Sequence, residues 1–375
     1  MSVIITKEPT GNILNAYNNS ILEFTITVGS PVRQPARAIV SVNGFNFNLT
    51  PVGGKFFFNA KKIITVLVNQ DNFTDNTEVL SPLSYLFTDS LLYKEVNVLI
   101  TVYTTTGTSF ATNRNYKYLK SVQQIVRSKY IEREDIRILS PSIDANKSVT
   151  YFEGLPFDVS IYSSQDMTAT LLHARTQNTL TVNLKKGVNR LFISNGENDN
   201  RGFEGVFPLF LGVNKIEIIP NNESESQFLF INKKSVKKGV YLKFFNQNGG
   251  WSYWRFEQVY RAGLQTKSLT ELNNDNNNLE QATNRVSQTG KDAMLRYFLN
   301  TGVFNMQERL VLSQLFSSPK VYLYNNMALQ PFSISDFIEV SIPDSTKELY
   351  NTKYCSNAYD VEIELPQLYT QSYGG

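Results

Sequence analysis

One histidine, His173, and one cysteine, Cys355, are all this chain offers for zinc or thiol chemistry. The single cysteine excludes an intramolecular disulfide and a Cys-rich zinc site, and the single histidine excludes the two-histidine zinc motifs. A Ser-His-Asp triad would have to use His173, which lies in the apolar, strand-like run Thr168-Ala-Thr-Leu-Leu-His-Ala-Arg175. A pair of Cys355 with His173 has no local support. Carboxylates are harder to dismiss, because glycosidases need only two acids at a set separation and no sequence spacing. Glu153, Asp158, Glu197, Asp199 and Glu204 are the candidates, although among 33 acidic residues some pairs fall close by chance. Glu197 and Asp199 also carry oxygens suited to calcium, but the EF-hand spacing is missing. Gly290-Lys291 lacks the remainder of a P-loop, and no Gly-x-Ser-x-Gly elbow occurs. No cofactor or metal is implied, and the expectation is a protein that is not an enzyme.

Aromatic chemistry is concentrated in one place. Both tryptophans of the chain lie in Val240-Tyr-Leu-Lys-Phe-Phe-Asn-Gln-Asn-Gly-Gly-Trp-Ser-Tyr-Trp-Arg-Phe256. Two apolar-rich runs flank Asn246-Gln-Asn-Gly-Gly250, which reads as a β-hairpin with a glycine-bearing loop. Strand alternation puts Trp251, Tyr253 and Arg255 on one face and Trp254 with Phe256 on the other. One face is expected in the core and the other available. Trp251, Tyr253, Trp254 and Arg255 are therefore the candidate interface or ligand-contact residues, because exposed aromatics stack on sugars and anchor interfaces.

The composition narrows the partners. The chain has 375 residues, 41% of them hydrophobic and 13% aromatic, enough to fill ordinary cores. Its 25 Phe and 20 Tyr favour strands. A net charge of +3, with short and scattered lysine pairs, gives no basic face for nucleic acid. The N-terminus lacks a basic region followed by an apolar one, so no signal peptide is expected. No apolar run approaches the ~18 residues of a membrane span.

Strand signals dominate the segments that position these residues. Leu22, Phe24, Ile26 and Val28 alternate with polar neighbours, as do Val96, Val98, Ile100 and Val102. Asn43-Gly44 joins two alternating runs, and both residues tolerate the positive φ of a type I′ turn. The stretch from Val66 to Leu92 fits a strand pattern less well. The expected architecture is mainly β: tandem immunoglobulin/fibronectin-like β-sandwich modules, then an α+β module with one main helix on an antiparallel sheet. The boundaries read as 1–115 for the N-terminal sandwich, 116–140 for a connecting segment, 141–235 for a second β-rich module and 236–375 for the module with the tryptophan hairpin. Asn305-Met-Gln-Glu308 opens the helix, with Val311, Leu312, Leu315 and Phe316 on its apolar face. Asn273-Asn-Asp-Asn-Asn-Asn278 reads as a surface loop.

Several stretches, in order along nearly the whole chain, resemble tail-associated virion structural proteins of tailed (Caudoviricetes-type, crAss-like or related) phages infecting Bacteroidetes. They are Ile4-Ile-Thr-Lys-Glu-Pro-Thr-Gly-Asn-Ile-Leu-Asn-Ala-Tyr-Asn-Asn-Ser-Ile-Leu-Glu-Phe24, Thr150-Tyr-Phe-Glu-Gly-Leu-Pro-Phe-Asp158, the tryptophan hairpin, Ser287-Gln-Thr-Gly-Lys291 and Leu315-Phe-Ser-Ser-Pro-Lys-Val-Tyr-Leu-Tyr324. The resemblance implies a subunit of a tail, neck or baseplate ring with no enzymatic residues. Its partners would be other copies of itself and neighbouring tail or connector proteins, without direct nucleic-acid contact or membrane insertion. It would assemble in the bacterial cytoplasm and reside in the virion. Two alternatives stand beside it: a tail adhesin that binds host-surface glycans through exposed aromatics, and a glycan-degrading enzyme.

Overall fold

The computed structural model describes residues 2–27, 34–75, 85–123, 135–141, 147–194, 196, 203–222, 225–235, 239–273, 286–302, 306–324, 337–344 and 360–370. They divide into two units. The first holds Met1–Ser235 together with Asn246–Ser252; the second holds Val236–Phe245 and Tyr253–Gly375. The chain is mainly β, built from successive sandwich modules. No helix among the described residues is long and apolar enough to cross a membrane.

The N-terminal sandwich packs a three-stranded sheet on a five-stranded one. The first is ordered β1 (Val3–Lys7), β3 (Ile21–Ile26), β6 (Phe56–Asn59). The second runs β2 (Leu14–Asn15), β9 (Ser109–Leu119), β8 (Tyr93–Thr104), β4 (Pro35–Val42), β5 (Phe45–Leu49). The alternating rows face inward as period two requires: Leu22, Phe24 and Ile26 meet Val96, Val98, Ile100 and Val102 in one core. Phe24 stacks on Phe56 with centroids 5.3 Å apart. Asn43 and Gly44 both take positive φ (45° and 90°) in the turn between β4 and β5. Helix α1 (Lys61–Val68) covers this core with Ile64, Leu67 and Val68.

The second sandwich pairs a four-stranded sheet, β10 (Ile136–Ile138), β12 (Phe157–Ser163), β15 (Gly187–Ser194), β7 (Leu86–Asp89), with a five-stranded one. The latter runs β11 (Lys147–Phe152), β17 (Gln227–Lys234), β16 (Gly212–Pro220), β13 (Met167–His173), β14 (Thr179–Leu184). A short helix, α2 (Phe203–Val206), precedes β16. The strands do not follow the boundaries expected at 115 and 140. Residues 116–119 finish β9, β10 already belongs to the second sandwich, and β7 crosses over from the N-terminal third to pair with β15 (Val188↔Asp89, Leu191↔Leu86). Within that sheet β12 and β15 are buried at every residue, on both faces.

The second unit has the sheet β19 (Trp251–Phe256), β18 (Val240–Phe245), β24 (Val321–Tyr324), β25 (Phe337–Val340). Beside it stands β20 (Gln258–Ser268), β23 (Lys291–Asn300), β26 (Asp360–Glu364), and the pair β21 (Glu271–Asn273) and β22 (Val286–Gln288) extends that second sheet's hairpin. Helix α3 (Met306–Ser313) and the following 3-10 turn add Leu312 and Leu315 to the shared core with Phe244, Phe256, Leu299 and Ile363. The expected capping Asn305, like Asn274–Asn278, lies outside the described residues.

Candidate functional site

The tryptophan hairpin carries the candidate interface or ligand-contact residues, and the structure covers both of its faces. Trp251, Tyr253 and Trp254 are each at most 5% exposed, and Arg255 is half-buried. Trp254 and Phe256 join the core of the second unit, while Tyr253 stacks on Tyr241 at 5.7 Å with the rings 17° apart. The accessible face that alternation alone predicts is absent, because the residues on that face are also covered. Sugar stacking needs an open ring face, and these rings do not present one.

The loop between the two strands is docked rather than free. Asn246 organises it: its Oδ1 accepts from the backbone N–H of Asn248 (2.8 Å) and of Gly250 (3.3 Å), and its Nδ2 donates to the Leu139 carbonyl (3.1 Å) and Ser252 Oγ (2.9 Å). Gln247 accepts from the Val122 N–H at 2.8 Å, and Asn248 donates to the Ser140 carbonyl. A Cβ on Gly250 would stand 2.8 Å from the Leu139 carbonyl oxygen and 3.0 Å from Ser160 Cβ. The glycine pair therefore serves close backbone approach inside the first unit as well as the turn itself.

Ser160 leads to a buried cluster of charged side chains. On β15, opposite Ser160, the fully buried Arg190 donates to both Asp158 oxygens (Nη2 at 2.7 Å, Nε at 3.0 Å) and to Asp75 at 2.8 Å. Asp89 completes the set at 3.6 Å. Burial pushes the Asp89 carboxyl above its ordinary value, with Arg190 opposing that rise. Nearby, Lys120 pairs with Asp71 and lies 4.0 Å from the centroid of the Phe73 ring. Burial holds the Lys120 ammonium below its ordinary pKa, and the Asp71 hydrogen bond opposes it. Asp71 and Asp75 come from the segment after α1, whereas Asp158 and Arg190 belong to the second sandwich. Buried charges survive only when paired, and the Arg190–Asp75 pair is the one that ties the second sandwich to the segment after α1. Sequence reading named Asp158 as a possible catalytic acid and missed Arg190, whose partners lie 32 and 115 residues away.

The remaining candidates have structural partners. His173 is buried, with Nδ1 accepting from the Arg175 N–H (3.1 Å) and Nε2 3.1 Å from Asn214 Oδ1. Asn214 is itself anchored by the Phe210 N–H and by three backbone carbonyls. Glu153 and Glu204 come together only through Lys233, which bridges them, and Tyr151 donates to Glu204 at 2.8 Å. Cys355, Glu197 and Asp199 lie outside the described residues. Among the described residues no cluster of three or more His, Cys, Asp or Glu could hold a metal ion.

What the molecule does present outward is a β-ribbon. β20 and β23 pair over ten positions, from Gln258↔Asn300 to Ser268↔Lys291, and β21 with β22 carries the ribbon further. β26 supports only the Arg296–Asn300 end of β23, with one further bridge at Ala293. Leu264, Leu269, Leu272 and Val286 are exposed along the ribbon. Among the described residues β20 is an edge strand along its whole length.

No known protein family matches the chain, and no curated protein matches it. Solved structures do align. Fibronectin(III)-like modules of Clostridium thermocellum CbhA align at 8% identity, covering 62% of this chain and 94% of that one, with a TM-score of 0.20. A tetra-tandem repeat in the extending region of a large adhesion protein aligns at 9% identity over 80% of this chain and 69% of that one (TM-score 0.23). Dpr2 Ig1-Ig2, in complex with DIP-Theta Ig1-Ig3, aligns at 6% identity over 98% and 90% (TM-score 0.21). At such TM-scores the likeness says nothing of function.

Proposed function

We propose that this chain is a structural subunit of a tailed-phage virion, part of a tail, neck or baseplate ring, working by assembly with its own copies and with neighbouring tail proteins. The observation that carries the reading is the β20–β23 ribbon. A two-stranded hairpin is marginal in water by itself, and an edge strand of 11 residues offers its backbone to another chain. Such a ribbon, with exposed leucines, is suited to a protein neighbour. The ordered sequence resemblance supports the same reading. The subunit would assemble in the bacterial cytoplasm and end in the particle.

Glycan binding by a tail adhesin keeps one feature in its favour, away from the tryptophans. An open cleft of about 290 Å³ in the N-terminal sandwich is lined by the amides of Asn15, Asn18, Asn19 and Gln123, with Lys7 and Glu8 beside them. Amide groups hydrogen-bond sugar hydroxyls well. Many of these amides already bond one another, as in Asn18 Nδ2 to the Gln123 carbonyl (2.8 Å) and Asn15 Nδ2 to Gln123 Oε1 (3.3 Å), which leaves the assembly reading in front.

The test is antibody labelling of purified particles of the phage whose genome encodes the chain. Gold at a fixed level of the tail or neck is expected. Label on the host envelope, with none on particles, would overturn the reading.

A further inference from the structure

Lys120 and Asp71 face each other where water is shut out. Lys120 directly follows β9, and its side chain is 0% exposed, that of Asp71 9%. Lys120 Nζ stands 2.5 Å from Asp71 Oδ1 and 4.0 Å from the centroid of the Phe73 ring. Both backbones are held in place. The Lys120 N–H donates to the Leu92 carbonyl (3.0 Å), and the Asp71 carbonyl accepts from the Thr74 N–H (3.0 Å). On either side of Asp71, Tyr17 Oη donates to Asn69 Oδ1 at 2.6 Å and the Tyr17 ring stacks on Phe73 at 6.1 Å. Asn72 and Phe73 both take positive φ (51° and 55°), a conformation that non-glycine residues keep where their surroundings fix it.

An amine and a carboxyl condense poorly in water, where both are charged and hydrated. Burial reverses that balance, because each ion loses its hydration while a neutral amide carries neither charge. An ammonium has three donors. Here one carboxylate and one ring face answer them among the described residues, so the ion pair is thinly compensated. Burial also holds the Lys120 ammonium below its ordinary pKa, nearer to the free amine that acts as a nucleophile. Asp71 Oδ1 is one covalent bond from Cγ, and attack proceeds from separations of about 3–3.5 Å. Groups positioned in this way react at effective concentrations of about 10⁵–10⁸ M.

We infer that Lys120 and Asp71 join in an intramolecular isopeptide bond, Nζ to Cγ, which the folded chain forms on itself. The ammonium passes one proton to the carboxylate across their hydrogen bond. The free amine then attacks Cγ, the bond from Cγ to the hydroxyl breaks, and the hydroxyl leaves as water with a second proton from nitrogen. One water is released, nothing is oxidised or reduced, and no co-reactant is consumed. The bond ties the segment after α1 to the end of β9, between residues 49 positions apart. With one cysteine the chain has no intramolecular disulfide. A cross-link of this kind stabilises as a disulfide does, by restricting the unfolded chain. The inference stands apart from the assembly reading and does not depend on it.

The experiment is the intact mass of the purified full chain under denaturing conditions, which separate any ion pair, followed by tryptic peptide mapping. Most wild-type molecules are expected to weigh one water less than their sequence. Trypsin should no longer cut after Lys120, so peptide 63–94 should appear joined to peptide 118–127 as one branched species. Lys120→Arg and Asp71→Ala are expected to show the full sequence mass. A loss of water that persists in Lys120→Arg would belong to cyclisation of an aspartate on its own backbone and would overturn the inference. A wild type of full sequence mass, cleaved normally after Lys120, would overturn it as well. If either variant fails to fold, the wild-type peptide map decides, because the fragment ions of a branched peptide locate the bond.

Discussion

Arg190 and Asp158 form a bidentate ion pair in which neither side chain reaches solvent. Its value lies in what happens when one partner is removed, because the other is left as an uncompensated buried charge. Arg190→Met strands three aspartates and Asp158→Asn weakens the grip on the guanidinium, so Arg190→Met is expected to be the more damaging. It should cost about 3–5 kcal/mol, read from urea unfolding, with both sandwiches of the first unit affected together. A loss below about 1 kcal/mol, the value of an exposed pair, would show that the cluster is hydrated.

Asp89 gives the same cluster a pH dependence. Burial, opposed by Arg190, raises its folded pKa above the ordinary 3.8. A raised acid holds its proton longer in the folded state than in the unfolded one, so its contribution is complete below its unfolded pKa and is lost as pH rises through the folded value. Relative to Asp89→Asn, wild-type stability should therefore fall as pH climbs from 3.8 upward. Urea midpoints of both proteins across that range check the sign; a constant difference would contradict it.

Gly250 is closed to any side chain by the Leu139 carbonyl and Ser160. Gly250→Ala should cost about 1–3 kcal/mol through overpacking and should shift the emission of neighbouring Trp251. Gly54, with positive φ and nothing within 4 Å of a built Cβ, is the contrast. Gly54→Ala pays only local backbone strain and should leave the tryptophan emission unchanged.

Trp254→Ala is expected to lower stability by about 3–5 kcal/mol, as for other large core truncations, because the ring belongs to the core of the second unit. Binding of a panel of host polysaccharides by the folded fraction should be unaffected. Selective loss of such binding at unchanged stability would restore the hairpin as a ligand site.

The alternating rows were legible because they are local: Leu22, Phe24, Ile26 and the Val96–Val102 row are buried as period two demands. So were the Asn43-Gly44 turn and the Leu312/Leu315 helix face. Helix α1 was not, since Lys61-Lys-Ile-Ile-Thr-Val-Leu-Val68 is rich in β-branched residues and its N-cap, Ala60, makes no side-chain cap bond. The crossing of β7 and the partners of Arg190 were hidden for a different reason. They depend on pairings far apart in the chain, which no window of periodicity samples. The burial of both faces of the tryptophan hairpin is of this kind too: alternation separates the faces without saying what covers each.

Assembly is the central claim, and native mass spectrometry of the purified full chain, with negative-stain images of the same sample, tests it most directly. The account predicts a defined oligomer larger than a dimer, seen as a ring or a regular filament. A monomer at every concentration that binds host polysaccharide would contradict it.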